Sequence, residues 1–592
     1  MAKQIIPPSL AIKSMRSSGY RDTAYAVAEL VDNSIEAGAA KVEILCADRD
    51  DFSGGRKVRR LDRIAVFDNG KGMSPEMLET ALTFGGGSHE AEELPTGIGK
   101  FGMGLPNSSI SQCERVDVWS WQEGKCFRTY LDVREILSGK LESVPPAEEA
   151  EIPADWKSMI SSPIAPNGTL VVWSRPDRVH WRTSRALLDN SKLLIGRIYR
   201  SFIQEGTVSI RAAAFVESDT GGWETQYDET VRANDPLYLM SGTSTPAPYS
   251  EVPMFEQFGP PMPITVRFRG EEHTVLLTFS ITTKEVRQQH GYTTSPISTH
   301  ARKNTGISLV RAKRELELSQ AFVLGYDPRD RWWGAEVQFP PALDDVFAVP
   351  NNKQGAPAFQ PLDLEEDAAA AGLSPAEYKE TLRATDDPRL VMYEISNRIE
   401  ANLGPMREQI RRFAKPARKR EVPTEPTVDP AESTATRATE ERKREGHEGT
   451  SDRQENAPAE QRAGEIVEQM VADGFDREEA EQIAVEHVQS NIKYIFEEAS
   501  LEGAAFFSVR SKGGAIIVYI NSNHEAAKHF YDLLAESGED TSNEALQGLK
   551  ILLCAWARME DETLDPRQKA RLGDIRTDWG RMARDFLLSA DA

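Results

Sequence analysis

The chain has 592 residues, more than one hydrophobic core can serve, so about three to five domains are expected. Hydrophobic residues make up 39% of it, and no stretch approaches the roughly 20 uninterrupted apolar residues of a membrane-spanning helix, which excludes a helical membrane protein. A net charge of −23 disfavours an openly basic surface for nucleic acid but does not exclude a local basic channel, so composition alone leaves that partner undecided.

The opening M-A-K-Q-I-I-P-P-S has no charged segment leading into a long apolar run, so no secretory signal is read and the expected compartment is the cytoplasm. Cys46, Cys113, Cys126 and Cys554 are scattered without a CxxC pair. That argues against a disulfide framework and a zinc finger, and reduced, structural thiols are expected.

Along the chain, Ala24, Val27, Ala28, Val31 and Ile35 recur at helical spacing and predict a helix over 20–37, stopped by Gly38. Strands are predicted at 41–45 and 63–66, followed by a helix at 193–203 and a strand at 207–212. β-rich runs over 264–282 and 306–310 precede a helical candidate near Ala342. A helix over 388–413 carries Val391, Ile395, Ile399 and Leu403 at spacings of four, as a connecting arm or short coiled coil would. Residues 415–464 are rich in Pro, Glu, Arg, Thr and Ser and poor in large apolar residues, which predicts disorder. Beyond them, helices are predicted over 465–499, then a strand pair over 506–520 broken by Gly513 and Gly514, then further helices. No internal repeat is found.

Three constellations carry chemistry. In E-L-V-D-N, Glu29 and Asn33 lie four apart and share a helix face, so they can serve one ligand. Magnesium takes few protein ligands and completes its octahedron with phosphates and waters, so the Asn33 amide can supply one oxygen. Glu29, one turn away, can deprotonate a water aimed at a terminal phosphate. In D-N-G-K-G-M, Asp68 stands at a strand end where it can accept a hydrogen bond from an adenine amino group. Gly70 and Gly72 permit a tight turn and close approach to a flat ring, with Met73 closing the motif. In T-G-I-G-K-F-G-M-G-L, Gly99, Gly102 and Gly104 precede a helix predicted from Leu105, and backbone amides freed there make an anion site for phosphates. The G-G-G-S run at 85–88 adds a second flexible element, so a closing lid is expected over 83–100.

With N-G-T-L-V-V-W as a fourth, these motifs in this order resemble the sequence boxes of the GHKL superfamily: the gyrase B subunit, the heat-shock chaperone of ninety kilodaltons, sensor histidine kinases and MutL. The resemblance implies a Bergerat-type ATPase with ATP and Mg2+ as ligands. It makes Glu29 the general base, Asn33 the magnesium ligand, Asp68 the adenine-reading acid with Gly70, Gly72 and Met73 beside it, and Thr169 part of the water network around adenine. Gly99, Lys100, Phe101, Gly102, Met103 and Gly104 fall on the phosphate side. Farther on, N-T-G-I-S-L-V-R-A-K-R-E and a stretch ending V-P-N-N-K-Q resemble the transducer domain of the MORC branch and its bacterial relatives, where a lysine reaches the terminal phosphate. Lys353 and Gln354 match that loop. No cysteine cluster for the zinc domain of eukaryotic members is present, which puts chromatin reading in doubt.

The expected fold class is α/β. A Bergerat-type sandwich over 1–205 precedes a transducer-like α/β domain over 206–361, a helical arm over 362–414, a disordered linker over 415–463 and a small α/β domain over 464–592 for dimerisation or partner binding. The implied function is an ATP-driven homodimeric clamp or remodeller with a DNA or protein client. The alternatives are a chaperone-like ATPase and a nucleotide-gated scaffold with little turnover. A histidine kinase would need a phosphoacceptor helix ahead of the first box, which begins near residue 29 and leaves no room for one. Neither a topoisomerase nor an endonuclease metal motif is found.

Overall fold

In the computed structural model the described residues are 8–17, 19–53, 56–85, 104–218, 221–290, 295–324, 328–385, 387–413, 429–490, 492–499, 501, 503–527, 531, 534 and 540–590. Among them no helix is long and apolar enough to cross a membrane. The chain divides into two compact units. The first comprises Met1–Ile281, Lys303–Phe322 and Gly334–Asn402, and the second Thr282–Arg302, Val323–Trp333 and Leu403–Ala592.

In the first unit, a short helix α1 (Pro8–Ser17) precedes α2 (Thr23–Glu36). Asp22 caps α2, its carboxylate accepting from the N–H groups of Ala24 at 2.8 Å and Tyr25 at 3.2 Å, donors that a helix start otherwise leaves free. Gly38, at φ +73°, takes the left-handed turn that ends it. β1 (Lys41–Ser53) and β2 (Arg56–Asp68) then pair antiparallel and run well past the predicted 41–45 and 63–66. The extra length is charged, so it carries no apolar alternation. It is held instead by pairs such as Lys57 with Asp50 at 2.9 Å and Arg49 with Asp62 at 3.7 Å.

Six more strands complete the sheet: β3 (Cys113–Gln122), β4 (Lys125–Asp132), β5 (Glu148–Glu149), β6 (Gly168–Pro176), β7 (Ser209–Glu217) and β8 (Trp223–Thr230), in the order β5-β4-β3-β6-β2-β1-β7-β8. Alternate residues feed two cores, as strand geometry requires. Val42, Ile44 and Cys46 of β1 join Val27 and Val31 of α2, while Leu45 and Ala47 face the other side with Trp121, Trp156 and Phe215. Helices α3 (Pro75–Ala81) and α4 (Gly104–Gln112) follow the second and third motifs, and the helix expected at 193–203 begins earlier, at Ser184. The α/β sandwich is as expected.

A second sheet contains β9 (Phe255–Gln257), β10 (Met262–Phe268), β11 (Glu271–Thr282), β12 (Ile307–Arg311), β13 (Arg314–Ser319) and β14 (Trp333–Phe339), ordered β10-β11-β14-β12-β13 with β9 against β11. The helical candidate near Ala342 is a single 3-10 turn, Pro341–Leu343. The helix predicted over 388–413 spans Arg389–Arg412 and buries Ile395, Ile399 and Leu403.

In the second unit, the stretch expected to be disordered over 415–463 holds helices Pro430–Arg444, Thr450–Gln454 and the start of Ala459–Ala472, while 414–428 lies outside the described residues. Small residues mislead here. Ala431, Ala435 and Thr439, at spacings of four, make a buried stripe without large side chains, and the Thr439 hydroxyl lies 2.7 Å from Tyr494 OH. The end of the helix predicted over 465–499 is instead β15 (Tyr494–Ala499), which pairs parallel with β17 (Ala515–Asn521). Its aromatic and β-branched start suits a strand buried on both faces. β16 (Phe507–Lys512) and β17 form the predicted pair, turning at Gly513 and Gly514 with φ +58° and +81°.

Candidate nucleotide site

Helix α2 organises the site. Glu29 is 1% exposed on it, and Asn33, one turn later, is exposed. Burial pushes the Glu29 carboxyl up, and the nearby Lys353 ammonium only partly offsets this, so it stays above the usual carboxylate range. Its Oε1 is buried with no hydrogen-bond partner among the described residues. A raised, half-satisfied carboxylate of this kind can accept a proton from a water brought to it.

Lys353 is the partner. Its Nζ lies 3.5 Å from Glu29 Oε2 and 3.3 Å from Asp32 Oδ2, with the lysine side chain 6% exposed. Burial works against its charge, but Glu29 and Asp32 outweigh burial and hold the ammonium above its ordinary value, so it remains protonated. Gln354 also approaches the start of α2, its Oε1 accepting from Arg21 N at 2.7 Å, while its buried Nε2 has no partner among the described residues.

At the other end of α2, Ser34 Oγ donates to Asp68 Oδ2 at 3.0 Å and ties the helix to the end of β2. Asp68 Oδ1 accepts from Gly70 N at 2.8 Å. Burial raises the Asp68 carboxyl to about 6 against the pull of these hydrogen bonds. Across the β2–β6 ladder Asp68 faces Thr169, whose hydroxyl is 3.2 Å from Ser120 Oγ, and Ser120 in turn accepts from Met73 N at 2.8 Å. Asp68, Gly70, Gly72, Met73 and Thr169 therefore form one cluster. Gly70 is required by space: a Cβ there would come 2.8 Å from Ala37 Cβ. Gly72, at φ +67°, would drive a Cβ to 2.3 Å from Trp121 O.

Gly104 opens α4, and a Cβ at that position would come 2.8 Å from Glu29 Oε2, so the glycine leaves that carboxylate its room. Gly99, Lys100, Phe101, Gly102 and Met103, with the lid expected over 83–100 beyond Gly85, lie outside the described residues. Among the described residues no group of three or more His, Cys, Asp or Glu is arranged to hold a metal. A single exposed amide at Asn33 suits a magnesium ion that takes its other oxygens from phosphate and water.

Asp32, Arg314, Tyr199 and Ser120 escape motif reading. Asp32, inside E-L-V-D-N itself, receives Arg314 Nε at 2.9 Å on both oxygens and Tyr199 OH at 2.7 Å on Oδ1. Burial pushes Asp32 up, but Arg314 and Lys353 more than reverse this and hold it below its ordinary value. The signal available in sequence was slight: an acid three places after Glu29, and the arginine of A-K-R-E far downstream. Ser120 has no motif at all.

Residues 20–159 match the family described as histidine kinase-, DNA gyrase B-, and HSP90-like ATPase. An 85-residue stretch is 34% identical to ATPase MORC2B of Mus musculus, covering 14% of this chain and 8% of that protein. Stretches of 95 and 123 residues are each 35% identical to the DNA mismatch repair protein MutL, of Rhodospirillum rubrum (16% of this chain, 13% of the relative) and of Shewanella frigidimarina (20% and 18%). The chain thus spans less than a fifth of the length of each of these relatives. Glu29, Asn33, Asp68 and both described glycine turns fall inside the matched span, and residues 20–159 belong to the histidine kinase-, DNA gyrase B- and HSP90-like ATPase family, the GHKL superfamily that includes the MORC and MutL proteins.

Proposed function

We propose that this chain binds ATP with Mg2+ and hydrolyses it to ADP and phosphate, and that nucleotide pairs the N-terminal domains of two copies into a clamp that hydrolysis reopens. The observation that carries this reading is the buried meeting of Lys353 with Glu29, a cation from beyond the matched span set against the carboxylate best placed to activate water. A pure binder needs neither. In this reading 1–205 is the ATP-binding domain, 206–361 the transducer-like domain and 464–592 the dimerisation or partner-binding domain.

Asp68, Gly70, Gly72, Met73 and Thr169 take the adenine end. Gly99, Lys100, Phe101, Gly102, Met103 and Gly104 take the phosphates, and Gln354 supports the Lys353 loop. Asn33 would hold magnesium, which neutralises phosphate charge when bound. Glu29 accepts a proton from water as the water oxygen bonds to the terminal phosphorus and the bridging bond to ADP breaks. Lys353 meets the charge that grows on the transferring group. The client is DNA or protein, and the relatives named for DNA mismatch repair favour DNA.

Sedimentation with and without DNA and a non-hydrolysable ATP analogue tests the clamp. A dimer that forms with the analogue and dissociates as ATP is consumed is expected, whereas a monomer at saturating analogue contradicts it.

Asp68→Asn should weaken ATP binding by roughly 1.5–3 kcal/mol, the scale of a hydrogen bond to a charged group. The pH sign follows from the raised carboxyl. A raised folded value means that the folded, nucleotide-free chain favours protonated Asp68, so this contribution to stability is full below the ordinary aspartate range and lost as pH rises through about 6. Adenine instead needs the ionised acceptor, so wild-type affinity should fall as pH drops through about 6. Calorimetry between pH 5 and 8 checks both parts: equal affinity for wild type and variant at neutral pH, or the same pH slope for both, sinks the assignment.

A further inference from the structure

Lys353 has a backbone conformation that residues with side chains adopt rarely. Its φ is +48°, in the left-handed region, and such strain persists only where neighbours over-determine it. Two contacts do so. The Lys353 N–H donates to Pro350 O at 3.0 Å, and its carbonyl accepts from Arg314 Nη1 at 3.0 Å. The same guanidinium places Nε 2.9 Å from both Asp32 oxygens, and Asp32 Oδ2 faces the Lys353 ammonium at 3.3 Å. One arginine thus holds the lysine at both ends, the main chain directly and the head through Asp32.

Arg314 is itself firmly set. It is the first residue of β13, directly after the turn residues Ala312 and Lys313 with φ +49° and +67°, the pair of positive values that a type I′ hairpin turn requires. Its side chain is 1% exposed. Tyr199 OH, within 2.7 Å of Asp32 Oδ1 and 2.6 Å of Ala28 O, fixes Asp32 against its own helix.

We propose that Arg314 is a positioning residue for the phosphate-side lysine: by gripping the Lys353 carbonyl and the Asp32 carboxylate together, it sets where the ammonium rests and how it is presented to the nucleotide. This rests on the assignment of Lys353 to the phosphate. A stabilising ion pair would need only Asp32. The second grip, on the carbonyl of a strained lysine, is what an ion pair alone does not explain. Arg314 acts through Lys353 and does not itself touch nucleotide.

The test compares ATP turnover and ATP affinity for the full chain carrying Arg314→Gln, Lys353→Ala, or both. Arg314→Gln should lower kcat by up to about 10²-fold, the scale of an approximately 1 Å misplacement, while affinity stays within about twofold. In the Lys353→Ala background it should cost nothing more, because nothing is left to position. Arg314→Lys keeps the buried charge on Asp32 but cannot grip both partners. It should reproduce the kcat loss with wild-type affinity, which guards against a folding defect. Wild-type kcat in the Arg314 variants, or losses that multiply in the double variant, overturn the proposal. Wild-type turnover by Lys353→Ala alone would instead overturn the role of Lys353, so the two failures are separable.

Discussion

Glu29→Ala should lower ATP turnover by roughly 10²- to 10⁴-fold and leave ATP affinity within a few fold, the loss typical of removing a general base. The carboxylate is buried, its value is raised, and one oxygen is unpartnered, so its uncommitted capacity points to a proton. The cluster proposed to take adenine lies at the far end of α2, around Asp68, and its hydrogen bonds do not involve Glu29. The fold should survive, because Lys353 keeps Asp32 as counter-ion and Asp32 keeps Arg314. Phosphate release and calorimetry run on one preparation separate the two quantities. Turnover at the wild-type rate, or affinity lost in step with turnover, contradicts the assignment.

Lys353→Ala should also separate binding from chemistry, with turnover reduced by roughly 10²- to 10³-fold, the loss seen when one donor to a developing charge is removed. Affinity should stay within several fold, since in the proposed reading ground-state binding rests on Asp68, Asn33 and the glycine turns. This variant differs from Glu29→Ala in its effect on the base itself. Lys353 is the main influence opposing burial at Glu29, and without it the Glu29 carboxyl rises further. The acid limb of kcat against pH should therefore move to higher pH in Lys353→Ala. The wild type should also become more compact with a non-hydrolysable analogue than the variant does, in small-angle scattering. Normal turnover together with normal compaction would show that the lysine has no part in the cycle.

Local chemistry in this chain is legible from sequence where it is carried by short spacings. Glu29 and Asn33 one helical turn apart, Asp68 ahead of two glycines, and Gly104 at a helix start need only α and β periodicity to be placed. The Asp32–Arg314 pair joins residues 282 positions apart, and no local pattern announces it. Lys353 is legible only through the family resemblance of its loop. The true length of β1 and β2 was hidden because their outer halves are stabilised by cross-strand charge pairs, which read as solvated loop. The helix Pro430–Arg444 was hidden for the opposite reason: it packs through alanine and threonine, so its segment has the composition of a disordered linker.

In the proposed reading this constellation turns ATP over, as opposed to merely holding it. Phosphate release from ATP by the purified full chain, measured at saturating nucleotide in magnesium and again after chelation, separates the two. Steady release in magnesium that stops on chelation is expected. Saturable ATP binding with no release above the protein-free rate would contradict it and leave a nucleotide-gated scaffold in its place.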